Sequence, residues 1–204
     1  MEKIRLLCIG DSHSAGYPDH DLLYGGNPES SYQFWLAKEL GKMGVTVTCS
    51  CINKGICGDT TGGIVNRLGL FLQKDDIDVV ILQGGSNDLG CCDGQKVVEN
   101  LRYGCTLCCE KGVSLVLATV PPTRFLEYVT MIKRINQGIR SLGKHYSRVV
   151  VADLFAVLED HQGMLDEACT IGDGVHLNIE GYRRMGKIIA SAISDAHRQA
   201  TSGR

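Results

Sequence analysis

Apolar residues fall along this chain in two alternating rhythms. Short runs, apolar at consecutive or alternate positions, stand at 4–9, 45–52, 78–83, 113–120 and 148–154. Longer stretches at 31–43, 60–72, 96–111, 126–145 and 178 to about 197 return an apolar residue every three or four positions. The first rhythm belongs to strands and the second to amphipathic helices. The run at 78–83 is apolar at successive positions, as a strand covered on both faces must be. Gly112 stops one helix and Pro121-Pro122 closes the fourth strand. Strand alternating with helix predicts a three-layer α/β/α sandwich on a five-stranded parallel sheet of flavodoxin-like order. No linker or internal repeat interrupts residues 1–204, so a single domain is expected, with a frayed tail from about 198. Ligands in such sheets bind beyond the carboxyl ends of the strands, near the switch in strand order. Chemistry is therefore expected directly after the first three strands.

Polar residues collect there. Gly10-Asp11-Ser12-His13-Ser14-Ala15-Gly16 follows the first strand, Asn53 to Thr60 the second, and Gly84-Gly85-Ser86-Asn87-Asp88 the third. Asp173-Gly174-Val175-His176 leads into the last helix. Acyl transfer needs a nucleophile, a base, a group to orient the base, and donors for an oxyanion. Ser12 stands on a glycine-bounded turn at the start of a short expected helix, where backbone N–H groups point outward. His176 can accept its proton, and Asp173, three residues earlier, can turn its carboxylate back to the imidazole. The N–H groups of Ser12 and Gly58 and the Asn87 side-chain amide can together receive an oxyanion. Each feature also has a plain structural reading: Ser12 as a helix cap, Asn87-Asp88 and Asp173-Gly174 as turns, Gly58-Asp59-Thr60 as a helix start.

The four blocks together resemble the SGNH hydrolases, also called the GDSL esterase/lipase family. Gly10-Asp11-Ser12 resembles the first block and Gly58, in Asn53-x-Gly55-x-x-Gly58-x-Thr60, the second. Gly85-Ser86-Asn87-Asp88 resembles the GxND block, and Asp173-x-x-His176 the DxxH block. They occur in the family's order, and the resemblance spans residue 4 to about 190. One position departs: His13 stands where the family name implies leucine. The resemblance implies a Ser12–His176–Asp173 triad, an oxyanion hole of Ser12, Gly58 and Asn87, and no metal or cofactor. Substrates it suggests are short-chain esters, acyl-thioesters, lysophospholipids or acetylated sugars. A small acyl ester is the first expectation and carbohydrate O-deacetylation the second. Asp11, His13, Tyr17 and Val175 are expected to touch substrate, with His13 on the pocket rim. The loop 17–30, with Leu22, Leu23 and Tyr24, is expected to form one wall.

Composition narrows the alternatives. The chain has 204 residues, 21 basic against 23 acidic, with no basic block, so nucleic acid is not an expected partner. No apolar run approaches a membrane span, and residues 6–9 are too short for a signal-peptide core, so a cytoplasmic protein is expected. Oligomeric state is not legible. Ten cysteines, two pairs of them adjacent, read as reduced, mostly buried thiols. Cys105-x-x-Cys108 has metal-ligand spacing but lies in a helical pattern without a second pair. Cys57, Cys91 and Cys92 are expected near the site, where a thiol reagent would slow turnover by crowding it. Two readings from other classes stay open: a flavodoxin-like protein holding a flavin phosphate on the first loop, and a binding module without activity.

Overall fold

A computed structural model describes residues 4–21, 25–44, 51–74 and 76–202. The main sheet contains β1 (Leu6–Gly10), β4 (Cys51–Gly55), β5 (Val79–Leu82), β6 (Ser114–Ala118) and β7 (Val149–Ala152). Its order is β4-β1-β5-β6-β7, parallel throughout, which is the expected flavodoxin-like arrangement with the switch between β1 and β5. β2 (His20–Asp21) and β3 (Gly25–Gly26) form a separate two-residue antiparallel pair in the loop after the first strand. The helices are α1 (Ser12–Ala15), α2 (Tyr32–Lys42), α3 (Thr61–Lys74), α4 (Gly94–Glu110), α5 (Leu126–His145), α6 (Leu154–Leu158) and α7 (Ile179–Ser202).

Strand alternation divides the interior into two cores. Leu6 and Cys8 of β1 face one side with Val79 and Ile81, under Tyr32, Leu36 and Leu40 of α2 and Tyr182, Met185 and Ile189 of α7. Leu7 and Ile9 face the other side with Val80 and Leu82, under Ile64, Leu68, Leu101, Ile132, Ile135 and Ile139 of α3, α4 and α5. Central strands buried on both faces are what consecutive apolar positions require. Cys105 and Cys108 are wholly buried in the second core, and burial pushes the Cys105 thiol up to about 12 and that of Cys108 higher still. They pack there as small apolar side chains.

Most boundaries fall within two residues of the sequence reading. The first strand begins at Leu6 rather than residue 4, where the Arg5 N–H and guanidinium turn to Asp78. The second expected strand is described from Cys51, and residues 45–50 lie outside the described part. The fifth strand stops at Ala152 rather than residue 154, because Asp153 caps α6, accepting from the Ala156 N–H at 3.3 Å. The last helix runs to Ser202, past the expected end near 197.

Register brings the site loops level. Gly10 pairs with Gly55, and Ile9 with Leu82, so β1, β4 and β5 end side by side. At Gly55 a Cβ would overlap the backbone nitrogen of Ala15, so glycine is what lets α1 lie against the end of β4. Arg67 then locks the ends together. Its guanidinium donates to the carbonyls of Lys54 (2.7 Å) and Gly10 (3.2 Å) and pairs with Asp59 at 2.7 Å.

Candidate active site

Ser12 opens α1 directly after β1, with Asp11 as its N-cap. The Asp11 carboxylate accepts from the His13 N–H at 3.0 Å, which fixes the sharp turn that presents Ser12. The turn is braced beneath by Gln83, which donates to Asp11 Oδ2 at 3.1 Å and accepts from the Ser14 hydroxyl at 3.0 Å. Gln33 donates to the Ser14 carbonyl from α2. The Ser12 N–H is one of the first-turn donors that a helix leaves without an internal partner. A flavin phosphate on this loop would compete for donors with the Asp11 carboxylate already seated there, which weakens the flavodoxin-like reading.

The segment between Thr170 and Leu177 folds back on itself through an isolated antiparallel bridge, with Asp173 and Gly174 at its tip. Asp173 Oδ1 accepts from the N–H groups of Val175 (2.9 Å) and His176 (2.8 Å), and Oδ2 lies 2.6 Å from His176 Nδ1. His176 Nε2 lies 3.2 Å from the Ser12 hydroxyl. These partners assign the proton of a neutral ring to Nδ1, leaving Nε2 to accept from serine. Desolvation would raise the Asp173 carboxyl; the Val175 N–H, the His176 ring and the His176 N–H outweigh it and hold the group below the usual carboxylate range. The Gly174 carbonyl is anchored by the Arg124 N–H and the Thr123 hydroxyl, both at 2.9 Å.

Gly58 stands three residues beyond Gly55, the end of β4 that pairs with Gly10, and has φ +79°, in the left-handed region that favours glycine. The Asn87 amide donates to the Asp59 carbonyl at 3.1 Å, so one of its N–H groups holds the amide beside the Gly58 turn while the second stays available. Asp88 secures that loop from behind, accepting from the Thr61 N–H (3.0 Å) and hydroxyl (2.7 Å). Ser12, His176 and Asp173 are thus in hydrogen-bonded series, with Gly58 and Asn87 on the neighbouring strand ends.

Two of the residues expected to touch substrate are more deeply buried than a rim position implies. Asp11 is 0% exposed, with its oxygens taken by His13 and Gln83, so it has no surface to offer a substrate. His13 is 1% exposed, buried against Asp11 and Val175 rather than standing on a rim. Its ring turns inward because both nitrogens find oxygen acceptors there. Tyr17 remains half-exposed, its ring centroid 4.4 Å from that of His176. Val175 lines a cavity of about 110 Å³ with His13, Ser86, Leu89, Pro121 and Phe125. Leu22, Leu23 and Tyr24 lie outside the described residues. Cys57 and Cys91 are exposed and Cys92 half-buried. Gln83 and Thr123 are missed by the sequence reading. Gln83 had a signal, a polar residue closing an apolar strand; Thr123 had none beyond its place after Pro121-Pro122.

A nucleophile, an imidazole and a carboxylate in hydrogen-bonded series, at the carboxyl end of a doubly wound sheet, have the geometry of the serine-hydrolase class. A profile of the GDSL-like lipase/acylhydrolase family matches residues 8–184. The chain belongs to that family, a family of ester-hydrolysing enzymes. It is 30% identical over 161 residues to an arylesterase from Vibrio mimicus, a match covering 78% of this chain and 66% of that protein, just under two thirds of its length. A lipolytic protein of the G-D-S-L family from Desulfitobacterium hafniense has the same fold, with a TM-score of 0.74 and 20% identity over 93% of this chain and 99% of that one. So does the family 3 carbohydrate esterase of Clostridium thermocellum, with a TM-score of 0.73 and 21% identity over 97% and 98%. Among the described residues, no helix is long and apolar enough to cross a membrane.

Proposed function

We propose that this chain is a serine-dependent carboxylic-ester hydrolase that works through an acyl-enzyme. The observation that carries the reading is the unbroken series from Asp173 to His176 (2.6 Å) to Ser12 (3.2 Å). Ser12 Oγ attacks the acyl carbonyl while His176 Nε2 takes its proton, and Asp173 steadies the imidazolium. The oxyanion of the tetrahedral intermediate receives the N–H groups of Ser12 and Gly58 and the free N–H of Asn87. The carbon–oxygen or carbon–sulfur bond to the leaving group then breaks, and His176 returns the proton to the departing alcohol or thiol. Water repeats the sequence on the acyl-serine, releasing the carboxylic acid and restoring Ser12.

A small acyl group is the reading best supported on the acyl side. The cavity next to His13 and Val175 is about 110 Å³ and walled by Leu89, Pro121, Pro122 and Phe125. That space suits a few carbons rather than a long chain. Similarity to an arylesterase supports an apolar leaving group, which the half-exposed Tyr17 beside His176 would accommodate. Carbohydrate O-deacetylation is the second reading, supported by the exposed Tyr17 ring beside His176, a surface on which a sugar face can stack. Turnover of p-nitrophenyl acetate, butyrate and octanoate, measured beside Ser12→Ala, tests both levels. The expected result is activity in the wild type alone, greatest on acetate or butyrate. Near-normal turnover by Ser12→Ala overturns the mechanism, and a preference for octanoate overturns the short-acyl pocket.

A further inference from the structure

Two histidine–aspartate pairs meet at this site, and the reaction above uses one. The other, Asp11–His13, is sealed from solvent, at 0% and 1% exposure. Both ring nitrogens of His13 face oxygen: Nδ1 is 3.2 Å from Asp11 Oδ1, and Nε2 is 3.1 Å from the Val175 carbonyl. A carboxylate and a carbonyl only accept, so both contacts are hydrogen bonds only when the ring carries a proton on each nitrogen. A neutral ring would make one bond and set a lone pair against the other oxygen. The Asp11 carboxylate is itself held by the His13 N–H and the Gln83 amide, so its position does not depend on the ring.

The place of this bond in the fold gives it a consequence. His13 follows Ser12 by one residue, and Val175 precedes His176 by one. The far side of the 173–176 loop is fixed by Thr123, Arg124 and Thr170. On its near side, His13 Nε2 supplies a tie between that loop and the turn bearing the nucleophile, parallel to the 3.2 Å Ser12–His176 contact. We propose that His13 is a positioning residue: a doubly protonated imidazolium, clamped by Asp11, whose Nε2–H fixes the Val175 carbonyl and so sets His176 within reach of Ser12. The inference rests on the serine-hydrolase reading above.

The charges around the ring favour this state. Burial alone would lower the His13 pKa; the bond to Asp11, the charge of Asp11 and the Val175 carbonyl outweigh it and leave the group above its ordinary value. Asp173, across the cleft, acts in the same direction. The His176 ring stands 5.9 Å away, centroid to centroid, and the nearby Gln83, Ser86 and Thr123 carry no charge.

The test uses the full chain as wild type, His13→Gln and His13→Asn, with Ser12→Ala and His176→Ala as references. A glutamine amide nitrogen can stand near the position of Nε2 and still donate to Val175; an asparagine amide reaches only that of Nδ1. On p-nitrophenyl acetate, His13→Asn is expected to lose on the order of 10²-fold in kcat with KM little changed, the scale of a misplacement of about 1 Å. His13→Gln is expected to recover most of that loss. Equal activity of both variants, folded by thermal melting, would mean that His13 serves packing alone and would overturn the role. The imidazole 1H–15N spectrum of the wild type needs no variant to fold. Protons on both His13 nitrogens at pH 7 support the clamp, and one bare nitrogen overturns it. Turnover by Ser12→Ala would instead remove the serine-hydrolase reading on which the role depends.

Discussion

Replacing Asp173 with asparagine should stop the reaction while leaving the fold nearly intact. Oδ1 of Asp173 holds the N–H groups of Val175 and His176 at 2.9 and 2.8 Å, and an asparagine carbonyl oxygen can keep both. Its amide would then replace Oδ2, 2.6 Å from His176 Nδ1, and would donate where the carboxylate accepted. The ring must answer with a lone pair at Nδ1 and its proton at Nε2, and a protonated Nε2 in a neutral ring cannot take the Ser12 proton. Loss of the correct tautomer in a Ser-His-Asp array costs on the order of 10⁴ in kcat, about 5.5 kcal/mol of barrier. Asp173 is partly exposed, so water can compensate some of that loss, and a fall of roughly 10³–10⁴ is expected here. Weaker bonds from the two N–H groups should cost about 1 kcal/mol, or roughly 2–4 °C in Tm for a chain of this size. The assay is kcat/KM on p-nitrophenyl acetate with a melting curve on the same sample. Asp173→Asn within tenfold of wild type would refute the tautomer argument.

Other outcomes follow from the same geometry. Asn87→Ala should lose about 10²–10³ in kcat with a small change in KM, because its free N–H matters only when the oxyanion forms; steady-state kinetics would show it. His13 has a raised pKa in the fold, so its contribution to stability is complete below about pH 6.5 and fades as pH rises through the folded value. Melting temperatures measured across that range should decline on the alkaline side, and the His13-dependent part of the decline should vanish in His13→Gln. Thiol-modifying reagents should slow turnover through exposed Cys57 and Cys91 and half-buried Cys92, and a variant with serine at all three positions should be insensitive. Full sensitivity of that variant would assign the effect to other thiols.

The sheet was legible because burial on both faces leaves consecutive apolar residues, as in Val79–Leu82, and parallel order follows from strand alternating with helix. Three of the four polar blocks were legible because each stands directly after a strand whose end the pattern marks, and the fourth because it leads into the last helix. What sequence could not show was direction. Asp11 and His13 look like exposed rim residues because they flank Ser12, yet both are buried, where Gln83 and the Val175 carbonyl supply partners 72 and 162 positions away. Long-range hydrogen bonds leave no local periodicity. The same holds for Thr123, which anchors Gly174 across 51 positions. Helix α6 was hidden for a different reason: Leu154 continues the apolar strand run, and only the capping bond of Asp153 reveals the break.

Covalent capture is the sharpest test of Ser12 as the nucleophile and His176 as its base. Wild type, Ser12→Ala and His176→Ala would each be incubated with a fluorophosphonate, and the modified peptide located by mass spectrometry. A single stoichiometric adduct on Ser12 is expected in the wild type, none in Ser12→Ala, and labelling slowed by several decades in His176→Ala. An adduct on another residue, or equal labelling rates with and without His176, would contradict those roles.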